Sequence, residues 1–170
     1  NATMIIEDIE GMELLGYLDD LKPTGTLMGE LQKYKVLGPI KDYKKYLDAD
    51  DVYFFYAFAG MTDPKASYEQ ILEMDIPEAK LINIIHPQTY LSKNYTSVGK
   101  SFMMMPFSQL GPEVKVGNYC IMLGNSFVAH NTVLGDFVHL ASNAVVGSCS
   151  EVGIGTHFGT NCMTKENLKI

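Results

Sequence analysis

The sequence predicts a mostly β protein: a parallel β-helix of hexapeptide repeats, preceded by a small α/β layer. Three observations carry this. A six-residue clock runs from Val98 through Met104, Leu110, Val116, Met122, Val128, Leu134, Leu140, Val146, Val152, Phe158 and Thr164 to Ile170, and only Thr164 breaks its apolar character. The residue after each beat is usually Gly or Ala, as at Gly99, Gly111, Gly117, Ala129, Gly135, Ala141, Gly147, Gly153 and Gly159. Four places after each beat comes a mostly small residue, among them Ser108, Cys120, Ser126, Thr132, Ala144, Ser150 and Cys162.

A strand repeats every two residues and a helix every 3.6, so neither alone returns a branched side chain every six. Three hexapeptides closing one triangular coil do. The clock residue then points into the prism, the small residue tucks beside it, and Gly or Ala is expected to let the backbone turn. Coils of about eighteen residues would stack at ~4.8 Å, the spacing of hydrogen-bonded strands.

The front half reads differently. Residues 4–12 (Met4, Ile5, Ile6, Ile9, Met12) fit the end of an amphipathic helix running into Gly11. Leu14 to Leu18 reads as a buried strand, stopped by Asp19-Asp20 and a loop at Pro23 to Gly25. Lys35 to Leu37 is expected as a short strand, followed by a short helix near Asp42 to Leu47. Val52 to Phe58 holds β-formers throughout, Lys65 to Met74 reads as a helix, and Leu81 to Ile85 as a further strand. Strands alternating with helices suggest a small parallel layer. The expected division is 1–87 for this layer and 88–170 for the β-helix.

At 170 residues the chain can bury a real core. Residues 1–87 hold eight Lys against sixteen acidic side chains, and residues 88–170 hold five against four, which accounts for the net charge of −7. An acidic chain is a poor partner for nucleic acid, and without Arg there are no bidentate guanidinium clamps. No apolar run approaches the ~20 residues of a membrane span. Nor is there a secretory leader, Asn1-Ala2 reading as a cloning scar. Three cysteines make no disulfide framework; they read as reduced packing residues in a cytoplasmic protein.

His130 lies two places after an inward residue, so its imidazole is expected to point outward from the wall. Imidazole titrates near working pH and suits a general base, although a surface histidine on a structural coil is the plainer alternative. His139 and His157 are one coil apart and should stack on the same edge. Such a pair raises zinc as a rival, but the His-x4-His spacing of prism-shaped carbonic anhydrases is missing, and no metal is expected.

Three stretches carry a narrower likeness: Leu14-Leu15-Gly16-Tyr17-Leu18-Asp19-Asp20, Ile85-His86-Pro87, and the run from Val128-Ala129-His130-Asn131-Thr132 through Gly135-Asp136-Phe137-Val138-His139 to Ala141. They resemble the sialic acid O-acetyltransferase and nucleotide-4-amino-sugar N-acetyltransferase family, which includes UDP-N-acetylbacillosamine pathway enzymes among the hexapeptide acyltransferases. The resemblance implies a left-handed prism after a Rossmann-like front domain, and a homotrimer with sites between subunits. It also implies acetyl-CoA as co-substrate and transfer of acetyl to the amine of a nucleotide-linked sugar. His130 matches the family's base. Asn131 departs from it, because Glu or Asp usually follows that histidine; an amide keeps the ring oriented but brings no charge.

His139 matches the position near the acetyl group. Gly147, Ser148 and Gly159 would lie along the coenzyme A groove, Ser148 standing where the family often has Gly, and Lys165 and Lys169 could meet phosphate. Asp19 and Asp20 match an acidic pair that helps bind the nucleotide sugar, though as bare sequence they form a turn. His86 before Pro87 reads as a joint between the two parts. The family's front domain opens with a strand and Gly-rich turn, and its prism runs further, so this chain is expected to be incomplete at both ends. The alternatives are a sugar O-acetyltransferase of the sialic acid type and a non-catalytic prism serving binding or assembly.

Overall fold

In the computed structural model, which describes residues 2–29, 32–57, 64–92 and 95–170, the second half is a left-handed parallel β-helix. Each coil contributes one two-residue strand to each of three flat faces. The first face stacks Ile84–Ile85, Met103–Met104, Ile121–Met122, His139–Leu140 and His157–Phe158. The second stacks Tyr90–Leu91, Gln109–Leu110, Phe127–Val128 and Val145–Val146, and the third Ser97–Val98, Lys115–Val116, Val133–Leu134 and Glu151–Val152. All pairings within these faces are parallel. Isolated bridges from Val145 to Met163 and from Glu151 to Lys169 begin a further coil.

The interior is the clock. Met104, Leu110, Met122, Val128, Leu140 and Val146 are fully buried, and the small track (Ser108, Val114, Cys120, Ser126, Thr132, Val138, Ala144) is buried beside them. Hydroxyls on that track are satisfied locally: Ser126 Oγ donates to the Leu123 carbonyl at 2.6 Å and Thr132 Oγ1 to that of Gly147 at 3.1 Å. Burial pushes the Cys120 thiol up to about 12, which makes it a packing residue.

One expectation is corrected. The glycine track does not make the turns, because none of Gly99, Gly111, Gly117, Gly135 or Gly147 has a left-handed backbone. Its role is clearance: a Cβ on Gly117 would stand 2.7 Å from the Asp136 nitrogen and one on Gly147 2.4 Å from the Lys165 carbonyl, both on the next coil. The corners are turned two residues later, at a second regular track with φ near 60° that runs Ser101, Phe107, Glu113, Tyr119, Asn125, Asn131, Phe137, Asn143, Cys149, Gly155, Asn161, Asn167. Five of these twelve are Asn, the side chain that tolerates the left-handed region best after Gly.

The ladder also begins earlier than the clock. Ile84–Ile85 and Tyr90–Leu91 form the first coil's opening strands, but seven residues rather than six separate Leu91 from Val98, which hides this coil from a strict count.

The front is a mixed α/β layer. Helix α1 (Ala2–Glu7) leads to strands β1 (Tyr17–Leu18), β2 (Leu27–Met28) and β3 (Tyr34–Gly38), in the order β1-β3-β2. β1 runs parallel to β3, whereas β2 runs antiparallel to it, so this sheet is not uniformly parallel. The expected helix near Asp42 is a 3-10 helix over Ile40–Tyr46. The expected strand from Val52 reduces to one parallel bridge, Phe54 to Leu81, with Phe58 outside the described residues. Helix α2 (Pro64–Met74) connects its two sides, which gives one strand–helix–strand crossover.

Several contacts set this layer on the prism, among them Ile5 and Ile6 of α1 packed with Ile84, Met103 and Ile121 of the first face. Tyr43, Tyr56, Ile71, Met74 and Leu81 pack around Phe137, a corner residue of the third-to-first edge. His86 is buried and held on both sides: its Nδ1 accepts the Gln88 N–H at 3.0 Å, so Nε2 carries the proton shared with Asp8 Oδ2 at 3.1 Å. The histidine expected as a joint thus pins the turn after α1 to the first coil.

Candidate functional site

His130 stands at the corner between the second and third faces, exposed, on the turn that links Phe127–Val128 to Val133–Leu134. Inward Val128 and the buried Thr132 anchor the turn on either side. Asn131, in the left-handed place with φ 58°, donates its N–H to the Pro112 carbonyl of the coil below at 3.0 Å. Its Oδ1 lies 2.9 Å from His130 Nδ1. An amide oxygen only accepts, so Nδ1 carries the proton and Nε2 presents its lone pair outward. The expected orientation of the ring by Asn131 is therefore present.

One coil above, Ser148 and Cys149 repeat this corner, with the Cys149 N–H donating to the His130 carbonyl at 3.0 Å. Ser148 is half-buried. Gly147 lies against the backbone of Lys165, whereas nothing stands within 4 Å of a Cβ built on Gly159. Lys169 pairs with Glu151 at 3.0 Å on the third face.

His139 is elsewhere. It lies on the first face, buried under the front layer, with its Nδ1 3.1 Å from Nδ1 of His157 and ring centroids 4.3 Å apart. The stacking read from the eighteen-residue spacing is realised. Burial, and then the His157 imidazole, holds its pKa down to about 4, so it is neutral at pH 7. Beside it opens a cavity of about 230 Å³ lined by Thr3, Tyr17, Phe55, Met103, Ile121 and His139. Among the described residues, His139 Nε2 is the one buried side-chain nitrogen or oxygen without a hydrogen-bond partner. The Thr3 and Tyr17 hydroxyls bond to each other at the cavity's edge.

Asp19 and Asp20 sit at the end of β1, and both have structural duties. Asp19 Oδ1 accepts the N–H groups of Leu21 and Lys22 at 2.7 and 3.1 Å, and Asp20 Oδ1 accepts that of Ile40 at 2.8 Å, at the start of the 3-10 helix. The structure thus groups His130, Asn131 and Ser148 on one corner, His139 and His157 on another wall, and the acidic pair in the front layer. Among the described residues no cluster of three or more His, Cys, Asp or Glu side chains could hold a metal ion. No helix among them is long and apolar enough to cross a membrane. The left-handed corner track escaped the sequence reading, although Asn recurring three places after the clock residue was the signal for it.

No family model matches the sequence. Solved structures do match in fold. The acetyltransferase domain of PglB from Neisseria gonorrhoeae FA1090, in complex with acetyl coenzyme A, superposes with a TM-score of 0.72 at 17% identity, over 96% of this chain and 86% of that one. A histidine-to-alanine mutant of GDP-perosamine N-acetyltransferase from Caulobacter crescentus, in complex with CoA and GDP-perosamine, gives 0.63 at 16% identity, over 99% and 83%. WeeI from Acinetobacter baumannii AYE gives 0.57 at 18% identity, over 91% and 81%.

Proposed function

We propose that this chain is an acetyl-CoA-dependent acetyltransferase that acylates the amine of a nucleotide-linked sugar by direct transfer, with His130 as general base. The observation that carries the reading is the exposed imidazole whose Nδ1 is held by Asn131 Oδ1 at 2.9 Å, leaving Nε2 free to accept a proton. Support for the substrates comes from the similar folds, solved with acetyl coenzyme A or with CoA and GDP-perosamine.

Acetyl-CoA supplies the acyl carbon and a thiol leaving group. His130 Nε2 takes the proton that the acceptor nitrogen loses as it bonds to that carbon, and Asn131 Oδ1 steadies the imidazolium through Nδ1–H. The same Nε2–H then protonates the departing sulfur, so the base is regenerated. His139 fits the acyl end: a neutral imidazole with an unpartnered Nε2 beside an apolar cavity. For that atom to donate to the thioester oxygen, His157 must supply the proton of the Nδ1–Nδ1 bond, leaving His139 protonated on Nε2.

His130 and His139 occupy different walls, which favours a site built between copies, in keeping with a homotrimer. Gly147, Ser148 and Gly159 would border the coenzyme. Asp19 and Asp20 would meet the nucleotide through the carboxylate oxygens their turns leave over.

The test is thiol release from acetyl-CoA in the presence of UDP-4-amino sugars, sialic acid or neither. Release with the amino sugar, lowered at least a hundredfold by His130→Ala, is expected, the usual range for losing a general base. Turnover that survives the substitution overturns the assignment of His130. Release with sialic acid alone overturns the choice of acceptor.

A further inference from the structure

The corner track lets side chains on successive coils bond to one another. Asn143 and Asn161, one coil apart with φ of 61° and 59°, do so directly, Nδ2 of the first donating to Oδ1 of the second at 3.0 Å. Equal backbone angles on stacked coils make the Cα–Cβ bonds parallel at about 4.8 Å separation. The corner of His130 has the same register. Val128 pairs with Leu110 and Leu134 with Val116, which sets Asn131 (φ 58°) over Glu113 (φ 60°). Asn131 Oδ1 is engaged by His130, so its Nδ2 group has donors to place. An ionised carboxylate on the same track is an acceptor only.

We propose that Glu113 is a positioning residue for His130, acting through Asn131: its carboxylate accepts from Asn131 Nδ2, and the polarised amide oxygen holds the His130 Nδ1–H. The charge that Asn131 lacks is thereby supplied from one coil below. This rests on reading His130 as the base. Glu113 is exposed and one methylene longer than Asn, so its carboxylate reaches at least as far as the side chains of the Asn143–Asn161 rung. The other charged groups on these walls include Lys115, two residues along and facing outward on the third face, Glu151 above it in the same stack and paired with Lys169, and Lys165 and Glu166 two coils above Ala129 and His130. Ser148 and Cys149 occupy the coil between.

Two measurements decide it. In the amide spectrum of 15N-labelled protein, with the Asn131 side-chain signals identified by their loss in Asn131→Asp, Glu113→Ala should move the bonded Nδ2 proton upfield. In thiol-release kinetics, Glu113→Gln should lower kcat roughly two- to fivefold, the worth of one exposed charge-assisted contact, with the KM for acetyl-CoA unchanged. In an Asn131→Asp background, where a carboxylate already adjoins the imidazole, Glu113→Gln should lower nothing. An Asn131 amide signal that ignores Glu113→Ala overturns the proposal, whether or not turnover is seen. So does an equal loss in both backgrounds. Turnover indifferent to His130→Ala with a responsive Asn131 amide would instead remove the base assignment and leave the Glu113–Asn131 contact standing.

Discussion

Asparagine at position 131 answers two demands that belong to different levels of the molecule. As a corner residue it must accept φ 58°, which Asn does with little cost, and as the neighbour of His130 it must offer an acceptor at 2.9 Å. The same backbone slot holds Asn at four other corners of the prism, so the fold alone explains why Asn is admissible there. Only the contact with His130 sets this copy apart. His139 is the opposite case, an imidazole whose surroundings suit only its neutral form. Its pKa is depressed from an unfolded value near 6.5 to about 4, so between these values the unfolded chain binds a proton that the native one refuses. Stability is then fully present above pH 6.5 and lost as pH falls toward 4, with a limiting slope of about 1.4 kcal/mol per pH unit for one proton. Besides His157, the ionisable group that lines this cavity among the described residues is the Tyr17 hydroxyl. Urea unfolding at successive pH values should show the slope in the parent and its loss in His139→Leu; equal slopes would rule it out.

Among elements, the hexapeptide coil has three separable sequence requirements: a branched or long apolar residue inside, a small residue after it, and a left-handed corner two places further on. The prediction from the glycine track follows from clearance. Gly117→Ala sets a methyl 2.7 Å from backbone of the next coil in the middle of the stack, where neither coil can retreat, and should cost about 1–3 kcal/mol. Gly124→Ala, also within the stack, meets only the Pro106 carbonyl at 3.5 Å, an ordinary contact, and should change urea stability by less than about 0.5 kcal/mol. If both cost the same, clearance is not what selects glycine here. The inside track was legible because every coil from Val98 onward repeats it in register, and the candidate base was legible because its offset from Val128 set its direction. The corner track was equally periodic but mixed Asn with Phe, Tyr, Glu and Cys, so no single chemical property announced it. The front layer was harder: Leu27–Met28 and the Phe54–Leu81 bridge are too short for a two-residue period to register, and their partners lie far along the chain. That Asp19 and Asp20 close turns was visible in sequence, whereas Asp20's partner, Ile40, was not.

At the scale of the whole molecule, the question is how an irregular front layer is fixed to a regular column. The aromatic corner residues answer it. Tyr119 and Phe137 take φ 60°, a conformation that costs an L-residue roughly 1–2 kcal/mol, yet they stack on each other at 4.9 Å and receive Tyr56 and Tyr68 edge-on at 5.6 Å each. Burial of Phe137 to 1% exposure outweighs that strain, since removing such a ring costs about 3–5 kcal/mol. The coil ladder itself does not depend on the ring, because its hydrogen bonds run backbone to backbone, as from the Phe127 N–H to the Ala144 carbonyl at 2.9 Å. Phe137→Ala should therefore loosen the front layer and spare the column. Native-state hydrogen exchange should show amides of α2, such as that of Ile71, exchanging roughly a hundredfold faster, while those of Phe127 and Val133 keep their protection. Equal acceleration on both sides would mean that the two parts unfold as one cooperative unit, and that Phe137 stabilises the column as much as it anchors the layer.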